Sequence, residues 1–130
     1  MYDIVALGEL LVDFIQEGMN EEGHPVFSAN PGGAPCNMLA MASKMGKKTG
    51  FIGKVGKDSM GKMLRDAIIS CGIDDRGLRN NDKVPTTLAF VSKTETGDRN
   101  FSFYRNPGAD MMLTVNDIDF DMIQNTKIFH

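Results

Sequence analysis

The sequence of 130 residues contains no tryptophan, two cysteines and two histidines, and neither sign of charge is in marked excess. A formal net charge of −3 argues against nucleic-acid binding, which requires a clustered basic patch. No apolar run approaches the ~18 residues of a membrane span, and the chain does not start with a basic segment followed by an apolar one. We therefore expect no nucleic acid and no membrane among its partners.

The few cysteines and histidines indicate no reactive centre. Cys36 and Cys71 share neither a disulfide motif nor the spacing of metal ligands. Two thiols without such a framework suit the reducing cytoplasm, which is the compartment we predict. His24 and His130 stand alone, without a carboxylate or nucleophile at a catalytic spacing, and we interpret them as structural. The sequence therefore predicts no metal site.

The residues that are present form short apolar runs that alternate with segments of helical periodicity. The predicted strands are residues 3–7, 10–15 and 49–55, with a further strand from Lys127. The predicted helices run from Pro35 to about Met45, from a cap at Asp58 or Ser59 to Ile69, and from a cap at Asn116 or Asp117 to about Asn125. Gly46 and Gly72 follow the first two helices as stops. This order predicts an α/β protein with a parallel sheet covered by helices.

Residues 86–105 do not follow this alternation of strands and helices. Two alternating patterns, TTLAFVSK and RNFSFYR, flank the short turn TETGD, and this arrangement predicts a β-hairpin. Strands of a helix-covered parallel sheet are buried on both faces, so we place the alternating hairpin outside that sheet as a lid. A short strand over Pro25–Ser28 is a possible third member, which gives lid segments near 16–30 and 86–105.

Asp13 is the first candidate for ligand binding, because it interrupts the apolar run LLVDFI. Ligands of open α/β sheets bind beyond the carboxyl ends of the strands, and Asp13 lies near the end of the first strand unit. A carboxylate there can accept hydrogen bonds from two hydroxyls of a sugar. The alternative is an ordinary loop or capping aspartate.

The glycine pair Gly32–Gly33 precedes the first predicted helix, which has Asn37 in its first turns. Glycine permits positive φ and a close approach of a ligand, and the first amides of a helix are free to donate. An asparagine amide both donates and accepts, which suits vicinal hydroxyls. The alternatives are a plain strand-to-helix loop and an N-cap or first-turn asparagine.

A near match to a phosphate-binding loop occurs at residues 56–63, GKDSMGKM, directly after a strand. The motif G-x-x-x-x-G-K continues with a Ser or Thr that ligates magnesium, whereas Met63 stands here. We therefore interpret Lys62 as a solvated helix lysine, and Gly56 and Gly61 as turn residues. The dinucleotide fingerprint G-x-G-x-x-G is absent as well.

Phe103 and Arg105 lie two residues apart at the end of the second hairpin strand, so they face the same side. An arginine at the strand end nearest a pocket can donate to a sugar or phosphate oxygen, although a lone arginine on a flap is usually a surface charge. An aromatic ring and an arginine on one face predict a lid over a polar ligand.

Four segments together resemble the ribokinase/phosphofructokinase-B family of sugar kinases, and within it the fructokinases. They are GEL-x-VDF at 8–14, PGGAPCN at 31–37, FIGKVGKD-x-x-G at 51–61 and FYRNPGADMML at 103–113. The VPTTLAFV run at 84–91 adds to the likeness to fructokinases. The resemblance covers essentially the whole chain, in order.

The resemblance implies part of a ribokinase-like three-layer sandwich with a small β lid. It implies transfer of the γ-phosphate of ATP, with magnesium, to a hydroxymethyl group of a sugar such as fructose, and a homodimer joined through the lid. The positions that match those holding sugar hydroxyls are Asp13, Gly33 and Asn37. Gly32 matches a position that shapes the approach, and Phe103 and Arg105 match lid positions that face the sugar.

The family's second signature is a C-terminal D-T-x-G-A-G-D that supplies the catalytic aspartate and the anion hole. Neither this signature nor the nucleotide-binding segments occur in the 130 residues, and phosphoryl transfer depends on such groups. We therefore expect residues 1–130 to be the N-terminal part of a single sugar-kinase domain, without catalytic residues and inactive alone. The alternatives are a non-catalytic sugar-binding or oligomerisation module and a related kinase for another sugar or a nucleoside.

Overall fold

The computed structural model describes residues 1–130 and contains eight strands in two four-stranded sheets. In chain order the strands are β1 (Tyr2–Leu7), β2 (Leu11–Met19), β3 (Pro25–Gly32), β4 (Thr49–Gly56), β5 (Ile73–Asn81), β6 (Leu88–Lys93), β7 (Arg99–Tyr104) and β8 (Thr126–Phe129). The helices are α1 (Ala34–Lys44), α2 (Ser59–Ser70) and α3 (Phe120–Gln124), with short 3-10 helices at Ala109–Met112 and Val115–Asp117. No helix combines the length and the hydropathy that a membrane crossing requires.

The first sheet, which we call the core sheet, has the strand order β5-β4-β1-β8 and is parallel throughout. Helices α1 and α2 cover one face, where Phe51 lies in a buried cluster with Leu39 and Leu64. Helix α3 covers the other face, where Met122 belongs to a cluster with Ile52. Because neighbouring residues of β4 face opposite helix layers, this strand is buried along almost its whole length. The predicted three-layer α/β fold is confirmed.

The predicted ends of the first two helices are confirmed to within one or two residues. Gly46 and Gly72 follow α1 and α2, and both have a φ of +78°, which favours glycine. Asp58 caps α2, since its carboxylate accepts a hydrogen bond from the Gly61 amide at 2.8 Å.

The last predicted helix and one strand differ from expectation. Residues 115–117 form a 3-10 turn closed by a capping box between Thr114 and Asp117. A separate cap at Asp119 then starts α3, so the predicted helix over 116–125 is shorter than expected. Strand β5 has the polar sequence IDDRGLRNN, which carries no regular alternation. It is held by pairing along β4 and by the burial of Ile73 and Leu78 in the core.

The second sheet, which we call the lid sheet, has the strand order β3-β2-β6-β7. Strands β6 and β7 form the predicted antiparallel hairpin, which lies outside the core sheet. Strand β3 joins them as expected, but through β2, which pairs antiparallel with β3 and parallel with β6. Strands β4 and β8 already occupy both edges of β1, so β2 cannot pair with β1 in the core sheet. The chain leaves the core after Leu10, which is still buried in it, and β2 joins the lid sheet.

Candidate functional site

Asp13 lies within the lid sheet and not at the carboxyl end of a core strand. It is a residue of β2, with Asn30 of β3 and Ala89 of β6 as its neighbours in register. Phe103 of β7 lies opposite Ala89. Since neighbours in register face the same side of a sheet, the structure places Phe103 on the same face as Asp13. We call this side of the lid sheet the Asp13 face.

The carboxylate of Asp13 is half-buried and has no donor from the protein to offset that burial. Burial raises the pKa of this carboxyl above its usual range, and it is the one cause of the shift. A partly dehydrated carboxylate without donors favours a ligand that brings its own hydroxyl groups.

Gly32 makes room for this carboxylate. A Cβ atom at position 32 would overlap Asp13 Oδ2 and would lie 3.3 Å from a methyl carbon of Leu11. At Gly33 the φ is +118°, and a Cβ atom there would lie 2.6 Å from the backbone oxygen of Glu9. The structure therefore brings Gly32 beside Asp13, and both glycines are required where the chain turns from β3 into α1.

Glu9, in the segment between β1 and β2, holds the start of α1. Its Oε1 accepts a hydrogen bond from the amide of Ala34 at 3.1 Å. Glu9 therefore occupies one of the helix amides that the glycine-pair pattern predicts to be free for a ligand. The contact joins residues 25 positions apart, so no local pattern in the sequence indicates it.

Asn37 is exposed on the first turns of α1. Its backbone amide donates to the oxygen of Gly33 at 3.0 Å, as expected within a helix. Neither Asn37 nor Gly33 lines the cavity beside Asp13 described next. The convergence of all three residues on one sugar therefore stays a prediction.

A cavity of about 240 Å³ lies against the Asp13 face. It is lined by Asp13, Ile15, Gln16, Val91, Lys93, Arg99 and Phe101. The ring of Phe101 stacks with that of Phe103, with centroids 6.2 Å apart and 11° between the planes. The cavity thus combines an acceptor for hydroxyl groups with exposed aromatic surface, which suits the polar edge and apolar face of a sugar ring.

Arg105, at the end of β7, is bound by the protein itself. Its Nη2 donates to Asp110 Oδ2 at 2.6 Å, and its Nε donates to Asp110 Oδ1 at 3.3 Å. The Asp110 side chain is only 1% exposed and also accepts a hydrogen bond from the hydroxyl of Thr87. The guanidinium therefore compensates a buried carboxylate. Contact between Arg105 and a sugar stays a prediction.

The largest cavity, of about 520 Å³, lies at the start of α2, along the near match to a phosphate-binding loop. Its cations already have acidic partners, in the pairs Lys57–Asp82, Lys62–Asp66 and Arg65–Asp75. The carboxylate of Asp58 occupies the start of the helix. Because the cations of this cavity are paired and Asp58 already accepts from an amide at the helix start, we place the candidate site at Asp13 instead.

Known proteins are similar to this chain in sequence and in fold. A model of the pfkB family of carbohydrate kinases matches residues 1–130. The fructokinase of Solanum tuberosum is 40% identical over 129 residues, which make up 98% of this chain and 40% of that protein. The chain spans between 34% and 40% of the length of such curated relatives.

Solved structures of sugar kinases have the same fold. The fructokinase of Xylella fastidiosa matches with a TM-score of 0.93 and 30% identity, covering 100% of this chain and 41% of that one. An uncharacterized sugar kinase of Pyrococcus horikoshii in complex with ATP matches with a TM-score of 0.87 and 34% identity, covering 97% and 41%. In both, more than half of the longer chain lies outside the match.

Proposed function

The chain belongs to the pfkB family of carbohydrate kinases, and we propose that it forms the sugar-binding segment and lid of an ATP-dependent fructokinase. Relatives named as fructokinases, at about 40% identity, support fructose as the sugar. In this proposal residues 1–130 are the N-terminal part of one kinase domain, and the catalytic residues lie outside them.

The observation that carries the proposal is the carboxylate of Asp13, half-buried without a donor beside Gly32 and a cavity. A structural aspartate is normally paired or hydrogen-bonded when it is partly buried. Asp13 has neither kind of partner, so the burial of its ionised carboxylate costs stability at neutral pH, and hydroxyl groups of a bound ligand would offset that cost.

In the proposed complex Asp13 accepts hydrogen bonds from two vicinal hydroxyls of the sugar, and Gly32 lets the ring approach. Gly33 and Asn37 hold further hydroxyls at the start of α1, and Phe103 and Arg105 cover the sugar from the lid. Phosphoryl transfer depends strongly on how the acceptor hydroxyl is positioned. The contribution of this segment is therefore to orient the sugar and to exclude water from it.

The 130 residues do not fit the other substrate, ATP, or its magnesium ion. They contain no group of three or more His, Cys, Asp or Glu side chains that could hold a metal ion. The helix start that most resembles a phosphate site is occupied by Asp58. Phosphoryl transfer from ATP uses magnesium and a carboxylate that accepts the hydroxyl proton. We propose that residues outside this segment supply both, so the segment alone is inactive.

The second face of the lid sheet supports a homodimer through the lid. Phe90 stacks on Phe14 at 4.9 Å between centroids, and Phe27 and Tyr104 meet its edges at 5.4 and 5.2 Å. Tyr104 is exposed. An aromatic cluster at the surface of a lid is a suitable contact for a second lid. Sedimentation of the complete gene product tests this, and a monomer at micromolar concentration would refute the dimer.

The test of the proposed activity is an assay of the complete gene product with Mg-ATP and a panel of fructose, glucose, ribose and adenosine. We expect phosphorylation of fructose with the highest kcat/KM. Asp13→Asn keeps the size of the side chain and should raise the sugar KM, since loss of a hydrogen bond to a charged group costs ~1.5–3 kcal/mol.

Other results would select the alternatives or refute the proposal. A higher kcat/KM for ribose or adenosine indicates a related kinase for another substrate. Sugar binding by calorimetry without phosphorylation indicates a non-catalytic module. Unchanged sugar KM and kcat in Asp13→Asn would remove Asp13 from the site.

A further inference from the structure

Two consecutive threonines, Thr86 and Thr87, are buried directly before the lid hairpin. Their exposed fractions are 3% and 1%. Segments that connect two sheets usually lie at the surface, and threonine is seldom fully buried. The connection into the lid is therefore held tightly at these two residues.

Thr86 is held by Asp58, the residue that caps α2. The hydroxyl of Thr86 donates to Asp58 Oδ1 at 2.7 Å, and its amide donates to Asp58 Oδ2 at 2.9 Å. The same hydroxyl accepts a hydrogen bond from the amide of Gly56 at 3.0 Å, at the end of β4. Burial acts to raise the pKa of the Asp58 carboxyl, but the hydrogen bonds from Thr86 and Gly61 outweigh it and hold this pKa below its usual range. Asp58 thus joins α2 to the lid connection, and the Thr86 hydroxyl joins both to the core sheet.

Thr87 is held by the buried carboxylate of Asp110. Its hydroxyl donates to Asp110 Oδ1, which lies in the segment that leaves the hairpin. Arg105, directly after β7, binds the same carboxylate. A backbone hydrogen bond joins the same two segments, since the amide of Ala109 donates to the oxygen of Pro85 at 2.8 Å. Asp110 therefore ties the entry of the hairpin to its exit.

Two glycines make room for these contacts. A Cβ atom at Gly56 would lie 2.5 Å from the amide nitrogen of Thr86, and one at Gly108 would overlap the hydroxyl of Thr87. Neither glycine has a positive φ, so close packing alone requires them. Part of the near match to a phosphate-binding loop is thereby explained by the approach of the lid connection.

We propose that Thr86 and Thr87, together with Asp58 and Asp110, form a hinge clasp that positions the lid sheet over the sugar site. The oxygen of Thr87 also accepts a hydrogen bond from the amide of Val12 at 3.1 Å, next to Asp13. The clasp thus fixes the register of β6 against β2. This register places Asp13, Ala89 and Phe103 side by side on one face of the lid sheet. These four residues are positioning residues. This inference rests on the proposed function, since it assigns the clasp to the same sugar site.

The test compares Thr87→Val, which keeps the shape but removes the hydroxyl, with Thr87→Ser, which keeps the hydroxyl. In the complete gene product we expect Thr87→Val to raise the sugar KM about tenfold, the scale of one hydrogen bond to an ionised group. The kcat should change less than about twofold, because a lid that is in place in only a fraction of the molecules weakens apparent sugar binding, whereas saturating sugar restores the placed state. Thr87→Ser should restore the KM.

Amide hydrogen exchange without sugar supplies the second measurement. In Thr87→Val, the amides of residues 88–104 should exchange about tenfold faster, while those of β4 stay as slow as before. Equal acceleration in β4 would mean general destabilisation and would overturn the clasp, as would unchanged exchange and KM. If Thr87→Val does not fold, Asp110→Asn should produce a smaller change in the same direction, and no change there overturns the proposal. Absence of kinase activity in the unmodified protein refutes the proposed function, whereas the exchange comparison still decides the clasp.

Discussion

The core sheet and the lid sheet each have four strands, yet they bury their side chains to very different extents. Phe51 and Ile52, on opposite faces of β4, are both fully buried. Every residue of β7 is exposed, including Phe101 and Phe103. The central strand β4 of the core sheet is thus stabilised by burial on both faces, whereas the edge strand β7 of the lid sheet depends on its hydrogen-bond ladder. The difference teaches that burial, and with it most of the stability, is concentrated in the core sheet, which leaves the lid sheet free for the ligand contact that we propose.

Acidic side chains follow the same division. Asp117, beside the core sheet, accepts hydrogen bonds from Lys54 Nζ at 2.9 Å and from the Thr114 hydroxyl at 2.9 Å. The hydrogen bond from Lys54 is the main reason that the pKa of Asp117 lies below its usual range. Asp13 on the lid sheet has no such partner, and burial raises its pKa. The paired carboxylate of Asp117 stabilises the core, whereas the half-buried, unpaired carboxylate of Asp13 is the one that we propose for the ligand.

The largest effect should come from removing a core ring. Phe51→Ala takes a fully buried side chain from the cluster between β4 and the helices, and should lower the free energy of unfolding by ~3–5 kcal/mol. The matched lid variant Phe101→Ala removes a ring that is 50% exposed, and should cost less than about 1 kcal/mol. Urea denaturation of both variants measures the difference. Equal losses would contradict the division between the sheets.

Lowering the pH should reduce stability by protonating the carboxylates that accept hydrogen bonds in the folded state. A carboxyl whose pKa is lower in the folded than in the unfolded state contributes stability above the unfolded pKa and loses it as pH falls through the folded pKa. Asp58 and Asp117 are of this kind, so we expect the free energy of unfolding to fall below about pH 4. Asp58→Asn should flatten this fall in urea titrations at pH 3 to 7. An unchanged slope in that variant would show that its hydrogen bonds do not contribute.

The smallest change in the free energy of unfolding should come from Asp13→Asn, and this substitution should stabilise the protein. Its pKa is raised by folding, so the ionised form costs stability at neutral pH and the cost disappears as pH falls through the folded pKa. Asp13→Asn should therefore stabilise the unliganded protein by about 0.5 kcal/mol at pH 7, as is common for substitutions at binding sites. Thermal unfolding at pH 7 and pH 3.5 checks this, and the gain should vanish at the lower pH. A loss of stability at pH 7 would mean that Asp13 has a structural partner.

Local patterns were sufficient for the elements whose side chains alternate or repeat clearly. The spacing of Met38, Leu39 and Ala42 predicts α1, and the two alternating runs predict the β6–β7 hairpin outside the core sheet. Local patterns did not predict the elements whose formation depends on contacts with neighbouring elements. Strand β5 is polar and forms by pairing with β4, and the third helix is split by the caps at Thr114 and Asp119.

The sequence by itself determined the α/β class, the two main helices, the lid hairpin and the family, because these depend on residue types at short spacing. Only the tertiary structure decided that Asp13 lies on the lid sheet beside Gly32, and that Glu9 takes an amide of α1. It also decided that Thr87 and Arg105 share the buried carboxylate of Asp110. These contacts join residues brought together by sheet pairing, and hydrogen bonds at about 3 Å depend on that placement, which no local pattern specifies.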